Sequence, residues 1–96
     1  YYAVIFTAIA SEIQDGYMET VWRMHELAHE SPGFLGMESA GDTFEITVSY
    51  WQNEESILHW KRNAEHQVAQ EMGRSKWYNA YHVRVAKVER AYGFKK

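Results

Sequence analysis

The string His25-Glu26-Leu27-Ala28-His29 sets two imidazoles one helical turn apart with a glutamate between them. Zinc hydrolases use that spacing to chelate the metal beside a general base. The longer zinc-protease pattern fails, because Pro32 stands where it needs Gly and Leu35 where it needs a third His. Glu45, Glu54 or Glu55 could supply a third ligand, but only at a spacing that fits no such extension. His25 and His29 are therefore expected on the exposed flank of a helix, and no metal is expected.

His66 is the stronger candidate for chemistry. It follows Trp60 on one expected helix, with His59 and Asn63 near that tryptophan, so an aromatic wall and several polar groups can converge on one cavity. An imidazole titrating near neutrality could there exchange a proton with a phenolic or carbonyl oxygen. The competing reading makes Trp60 plain core and His66 a solvent-facing residue. His82 and Arg84 share a face of the last expected strand, and Trp77-Tyr78 precede it. Together they could offer a cation and an aromatic lid to a planar, anionic ligand, or Arg84, Arg90 and Glu89 could form ion pairs at the rim of an interface. No Gly-rich phosphate loop, serine elbow, or flavin or nicotinamide fingerprint is present. Any oxidation must then draw on the substrate's own electrons or a borrowed cofactor, and no resident cofactor is expected.

These side chains have to be positioned by six elements. Tyr2 to Ile9 is apolar on both alternating faces, as in a strand buried on both sides near the middle of a sheet. Tyr17, Val21, Met24 and Ala28, with Leu27, form the stripe of an amphipathic helix that Asp15 could cap and Pro32-Gly33 must end. Phe34–Ala40 and Thr43–Trp51 read as strands joined by a hairpin turn at Gly41-Asp42. In the second of them Phe44, Ile46, Val48 and Tyr50 lie on one face, and Glu45, Thr47, Ser49 and Trp51 on the other. Asn53 is placed to cap a second helix with the stripe Ile57, Trp60, Ala64 and Val68, ending between Met72 and Gly73. Tyr78–Val88 completes the set, with a bulge or strand end at Lys87.

The order is βαββαβ, an α+β ferredoxin-like fold with a four-stranded antiparallel sheet in a single domain over 1–96. Two helices cover one face of such a sheet only. The other still carries large apolar side chains, and a second copy packed on it as a homodimer would bury them. The chain has 96 residues and no cysteine, which excludes disulfides and thiolate chemistry and suits a reducing cytoplasm. The apolar first residues lack a basic leader and a cleavage site, and no apolar run is long enough to cross a bilayer, so neither export nor a membrane partner is expected. Residues 1–50 carry one Arg against eight acids, and residues 51–96 nine Lys and Arg against five acids. Oppositely charged surfaces can interleave on that basis, while the net charge of −3 argues against a nucleic-acid partner. Four Trp and seven Tyr suit a pocket for a small aromatic molecule.

On this layout, Ser31-Pro32-Gly33-Phe34-Leu35-Gly36, Tyr50-Trp51, Trp60, His66 and the tail Arg84-Val85-Ala86-Lys87-Val88-Glu89-Arg90, the chain resembles the antibiotic biosynthesis monooxygenase superfamily of dimeric α/β-barrel proteins over nearly its whole length. Members include cofactor-independent monooxygenases acting on phenols or quinols, heme-degrading monooxygenases, and many proteins without known activity. The resemblance therefore implies one of the two oxygenase activities or, as the alternative, a non-catalytic dimeric barrel that binds small molecules or serves in stress responses. The heme-degrading pattern asks for an Asn in the first strand and an axial His ten residues after the helix 2 Trp. Here the first strand has no Asn, and Gln70 stands where that His belongs. A phenol or quinol monooxygenase is thus the expected activity, with His66 and Asn63 as catalytic groups and Trp60, Trp77, His82 and Arg84 holding the substrate.

Overall fold

A computed structural model describes residues 1–70 and 77–96, the side chains of 65–70 excepted. The elements are β1 (Tyr2–Ala10), α1 (Tyr17–Glu30), β2 (Phe34–Gly41), β3 (Phe44–Trp51), α2 (Glu54–Gln70) and β4 (Tyr78–Lys87). They form a four-stranded sheet of order β2-β3-β1-β4 in which every described pairing is antiparallel. This is the expected α+β ferredoxin-like arrangement. β1 lies between β3 and β4, and its Ala3, Val4 and Ala8 are buried, which is why its sequence is apolar at successive positions. The side chain of the expected stripe residue Val68, and the expected helix end at Met72 and Gly73, lie outside what is described.

The core sits between the sheet and the helices. Val4, Trp51, Ala28 and Ile57 form its buried centre, and Tyr2, Phe34, Met37 and Trp60 pack around it. Trp51 therefore faces the helices, and so do Ser49, Thr47 and Glu45, which share its face by strand alternation. Phe44, Ile46, Val48 and Tyr50 face the other way, and Phe44 and Ile46 stay 56 % and 40 % exposed. The more apolar face of β3 is thus the one that no helix covers.

Asp15 does not cap α1. Gly16 takes that position in the left-handed conformation (φ 79), with no side-chain cap bond, and the Asp15 carbonyl instead accepts from the Trp77 indole N–H at 2.9 Å. At the other end of α1 the Ser31 hydroxyl donates to the Leu27 carbonyl at 2.7 Å, and Gly33 turns the chain with φ 81. The Gly33 carbonyl accepts from the Gln52 N–H at 2.8 Å, and a Cβ at Gly33 would collide with the Ser56 hydroxyl. Gly33→Ala is therefore expected to cost about 1–3 kcal/mol through backbone strain and displacement of Ser56. In so small a domain that lowers the thermal midpoint by roughly 4–8 °C per kcal/mol, and an unchanged midpoint by circular dichroism would refute it.

Candidate functional site

Asn53 caps α2 as expected, its Oδ1 accepting from the Ser56 N–H at 2.8 Å and from the Ser56 hydroxyl at 2.9 Å. That start sets the helix phase, so that Ile57 and Trp60 meet the core. The Trp60 ring lies 5.5 Å from that of Trp51 at 41°. Trp51 donates its indole N–H to the Ser49 hydroxyl at 2.9 Å. The indole N–H of Trp60 is buried without a partner among the described residues, as is the hydroxyl of Thr20 on α1. An unmatched buried donor costs about 1–3 kcal/mol, and a buried indole N–H ordinarily finds an acceptor.

The other expected site residues are distributed differently. Asn63 and His59 are exposed on α2, and His59 lines a hollow of about 300 Å³ with Asn53 and Ser56 at the start of that helix. The side chain of His66 lies outside the described residues. Trp77 is only 2 % exposed, and it is used inward. Its N–H goes to Asp15, its carbonyl accepts from the Ser11 N–H at 2.7 Å, and its ring meets Tyr17 edge-on at 5.8 Å. It fastens the chain ahead of α1 to the start of β4. His82 and Arg84 pair with Thr7 and Ile5 of β1, which puts them on the open face of the sheet, away from Trp60. His82 there borders a shallow hollow of about 150 Å³ with Thr7, Ile9 and Phe44. The fold thus divides the expected constellation between two faces. His29 of the metal-like string uses its Nδ1 against the His25 carbonyl at 2.7 Å, and no group of three or more metal-ligating side chains occurs among the described residues.

Sequence reading passed over a cluster on the helix side. The Tyr17 hydroxyl of α1 lies 2.8 Å from both carboxylate oxygens of Glu45 on β3, a bifurcated donation. The Tyr78 hydroxyl, at the start of β4, donates to the Tyr17 oxygen at 3.4 Å. Phe6 meets Tyr78 edge-on at 5.5 Å and stacks with Tyr81 at 5.7 Å. Tyr17 appears in the sequence as part of a helical stripe, and Glu45 as a member of the polar face of β3 and a conceivable third metal ligand, with nothing to join the two. The sheet register and the burial of that face bring them together.

Burial and then the Glu45 carboxylate, partly offset by the Tyr78 hydroxyl, push the Tyr17 phenol up to about 12. Tyr78 is raised too, by burial first and then by the Tyr17 hydroxyl and the Glu45 charge. Both phenols therefore stay protonated above the ordinary range of a tyrosine. Because the folded value lies above the unfolded one, the Tyr17 contribution to stability is complete below pH 10.0 and is lost as pH rises through about 12. An absorbance titration should show late phenolate formation, of which the step near pH 12 is lost from the Tyr17→Phe protein while Tyr78, raised first by its own burial, stays protonated. Simultaneous titration of all tyrosines would refute the assignment.

The sequence model of the antibiotic biosynthesis monooxygenase family matches residues 1–72. The chain is 55 % identical over 92 residues to the uncharacterized protein YqjZ of Bacillus subtilis (strain 168), covering 94 % of this chain and 81 % of that one. It is 32 % identical over 74 residues to the jasmonate monooxygenase ABM of Pyricularia oryzae, covering 77 % of this chain but 28 % of that protein. The crystal structure of SnoaB, a cofactor-independent oxygenase from Streptomyces nogalater, superposes with a TM-score of 0.71 at 5 % identity, covering 94 % of each chain. At that identity the likeness is one of fold.

Proposed function

The chain belongs to the antibiotic biosynthesis monooxygenase family, and on that premise we propose that it is a cofactor-independent monooxygenase of a small phenolic or quinol-like aromatic. The observation that carries the reading is the buried indole N–H of Trp60, unpartnered among the described residues, in an aromatic helix–sheet layer that can desolvate and orient a planar substrate. The oxygenase activities named for the jasmonate monooxygenase and for SnoaB agree with it. The reaction balances without a cofactor. A phenol and dioxygen give a quinone and water, one oxygen atom bonding to a ring carbon while the other leaves as water. The substrate supplies all four electrons and the two protons of that water. Heme is not the expected partner, since β1 carries no Asn and Gln70 occupies the place of the axial histidine.

Oxygen uptake over a panel of phenols and quinols, with product analysis in labelled dioxygen, tests the reading. One labelled oxygen atom in the product is expected. No uptake across the panel by folded protein would favour a non-catalytic binding barrel.

The active form is a homodimer in this proposal. Ile9, Phe44 and Ile46 remain 44 %, 56 % and 40 % exposed on the open face of the sheet, a contiguous apolar surface that a small soluble domain seldom leaves bare. A second sheet packed on it gives an isologous interface. Sedimentation equilibrium at micromolar concentration should return twice the chain mass, and a compact monomer would refute the dimer.

A further inference from the structure

Every proton of the tyrosine cluster points inward. Tyr17 has one hydroxyl proton, and the Glu45 carboxylate takes it at 2.8 Å. A carboxylate has no proton to return, so the Tyr17 oxygen can only accept, and it does so from Tyr78 at 3.4 Å. Tyr78 has then spent its only proton. What its oxygen still offers is lone pairs, and a partner meeting them must donate. The surroundings suit an aromatic partner. Phe6 lies 5.5 Å from the Tyr78 ring and Tyr81 lies 6.1 Å from it, while Tyr81, Val83 and Val85 leave the helix side of β4 38 %, 51 % and 49 % exposed as an apolar floor. Thr20, one turn after Tyr17 on the same side of α1, is 5 % exposed. Its hydroxyl has no partner among the described residues.

We infer that Tyr78, polarised through Tyr17 by Glu45, is a specificity-determining acceptor that admits an aromatic ligand bearing a hydroxyl and disfavours its carbonyl or ether counterpart. The inference rests on the proposed activity for its substrate class, and it adds a sense of direction. A phenol or quinol donates to Tyr78 and is held, whereas the quinone formed from it has only acceptors and meets lone pair against lone pair. The cluster thereby favours substrate entry and product release.

Anaerobic calorimetric titration with 1-naphthol and with 1-methoxynaphthalene tests this without turnover. The ether is the more apolar of the two, so burial alone favours it. Wild-type protein should prefer the naphthol about tenfold, the worth of one buried hydrogen bond. Tyr78→Phe keeps the ring and the Tyr17–Glu45 bond, and it should bring the two affinities together. Glu45→Gln carries the sharper consequence. Its amide can donate to the Tyr17 oxygen, which lets Tyr17 donate to Tyr78 and turns the Tyr78 proton outward, so that the preference should shift toward the ether. A naphthol preference that survives in both variants, or the absence of binding by either ligand to wild-type protein, overturns the inference. A role confined to fastening α1 to β3 would lower both affinities together in Glu45→Gln without shifting their ratio. Retained discrimination with no oxygen uptake over the phenol panel would sink the monooxygenase reading while leaving the acceptor in place.

Discussion

Trp51→Ala is expected to leave a large fraction of the protein unfolded at physiological temperature. Trp51 has no exposed surface, and it lies 5.2 Å from the Phe34 ring and 5.5 Å from the Trp60 ring. Truncating a buried aromatic to alanine costs about 3–5 kcal/mol through lost transfer energy and the cavity left behind. Here it also deprives the Ser49 hydroxyl of the indole N–H that it accepts at 2.9 Å. Native domains are stable by only about 5–15 kcal/mol, and small ones lie at the lower end. Trp51→Phe keeps most of the volume and loses the N–H, so it should cost distinctly less, about 1–2 kcal/mol. Urea unfolding followed by circular dichroism at fixed protein concentration ranks the two, the concentration being held because a dimer's stability depends on it. Equal midpoints for wild type and Trp51→Ala would show that this tryptophan is not the anchor of the core.

Much of this fold is written in local pattern. The doubly apolar Tyr2–Ile9 segment announces a central strand, Gly41-Asp42 a hairpin, and Asn53 a helix start, and each follows from backbone or hydrogen-bonding chemistry within a few residues. What alternation cannot say is which face of a strand the helices take. In β3 the more apolar set, Phe44, Ile46, Val48 and Tyr50, lies away from the helices. The covered set includes Glu45 and Ser49, whose polar atoms are satisfied by Tyr17 and Trp51. Those partners are remote in sequence or lie two residues along the same strand, so polarity misleads until the partners are known. The candidate site follows the same logic. His82 and Arg84 do share a face, as their spacing requires, but their register with Thr7 and Ile5 puts that face across the sheet from Trp60. The apolar Tyr81, Val83 and Val85 take the helix side.

In the proposed reaction, His66→Ala should lower turnover by about a hundredfold or more while changing substrate affinity little, because positioned acid–base help acts chiefly on the transition state. α2 sends Ile57 and Trp60 to the core, and His66 lies farther along the same helix. A quinol carries two hydroxyls. With one donating to Tyr78, the other is free to pass its proton to an imidazole as electron density moves toward dioxygen. An imidazole serving this way must be neutral to accept the proton, so wild-type turnover should rise with pH through the histidine range and that rise should be absent from His66→Ala. Trp60→Phe separates holding from chemistry. It removes the indole N–H and part of the aromatic wall, and should raise KM with a smaller effect on kcat. Steady-state oxygen uptake on the best quinol, with folding checked by circular dichroism, reads both variants. Wild-type turnover with an unchanged pH profile in a folded His66→Ala protein would remove that residue from the mechanism, leaving the proton to pass directly to water.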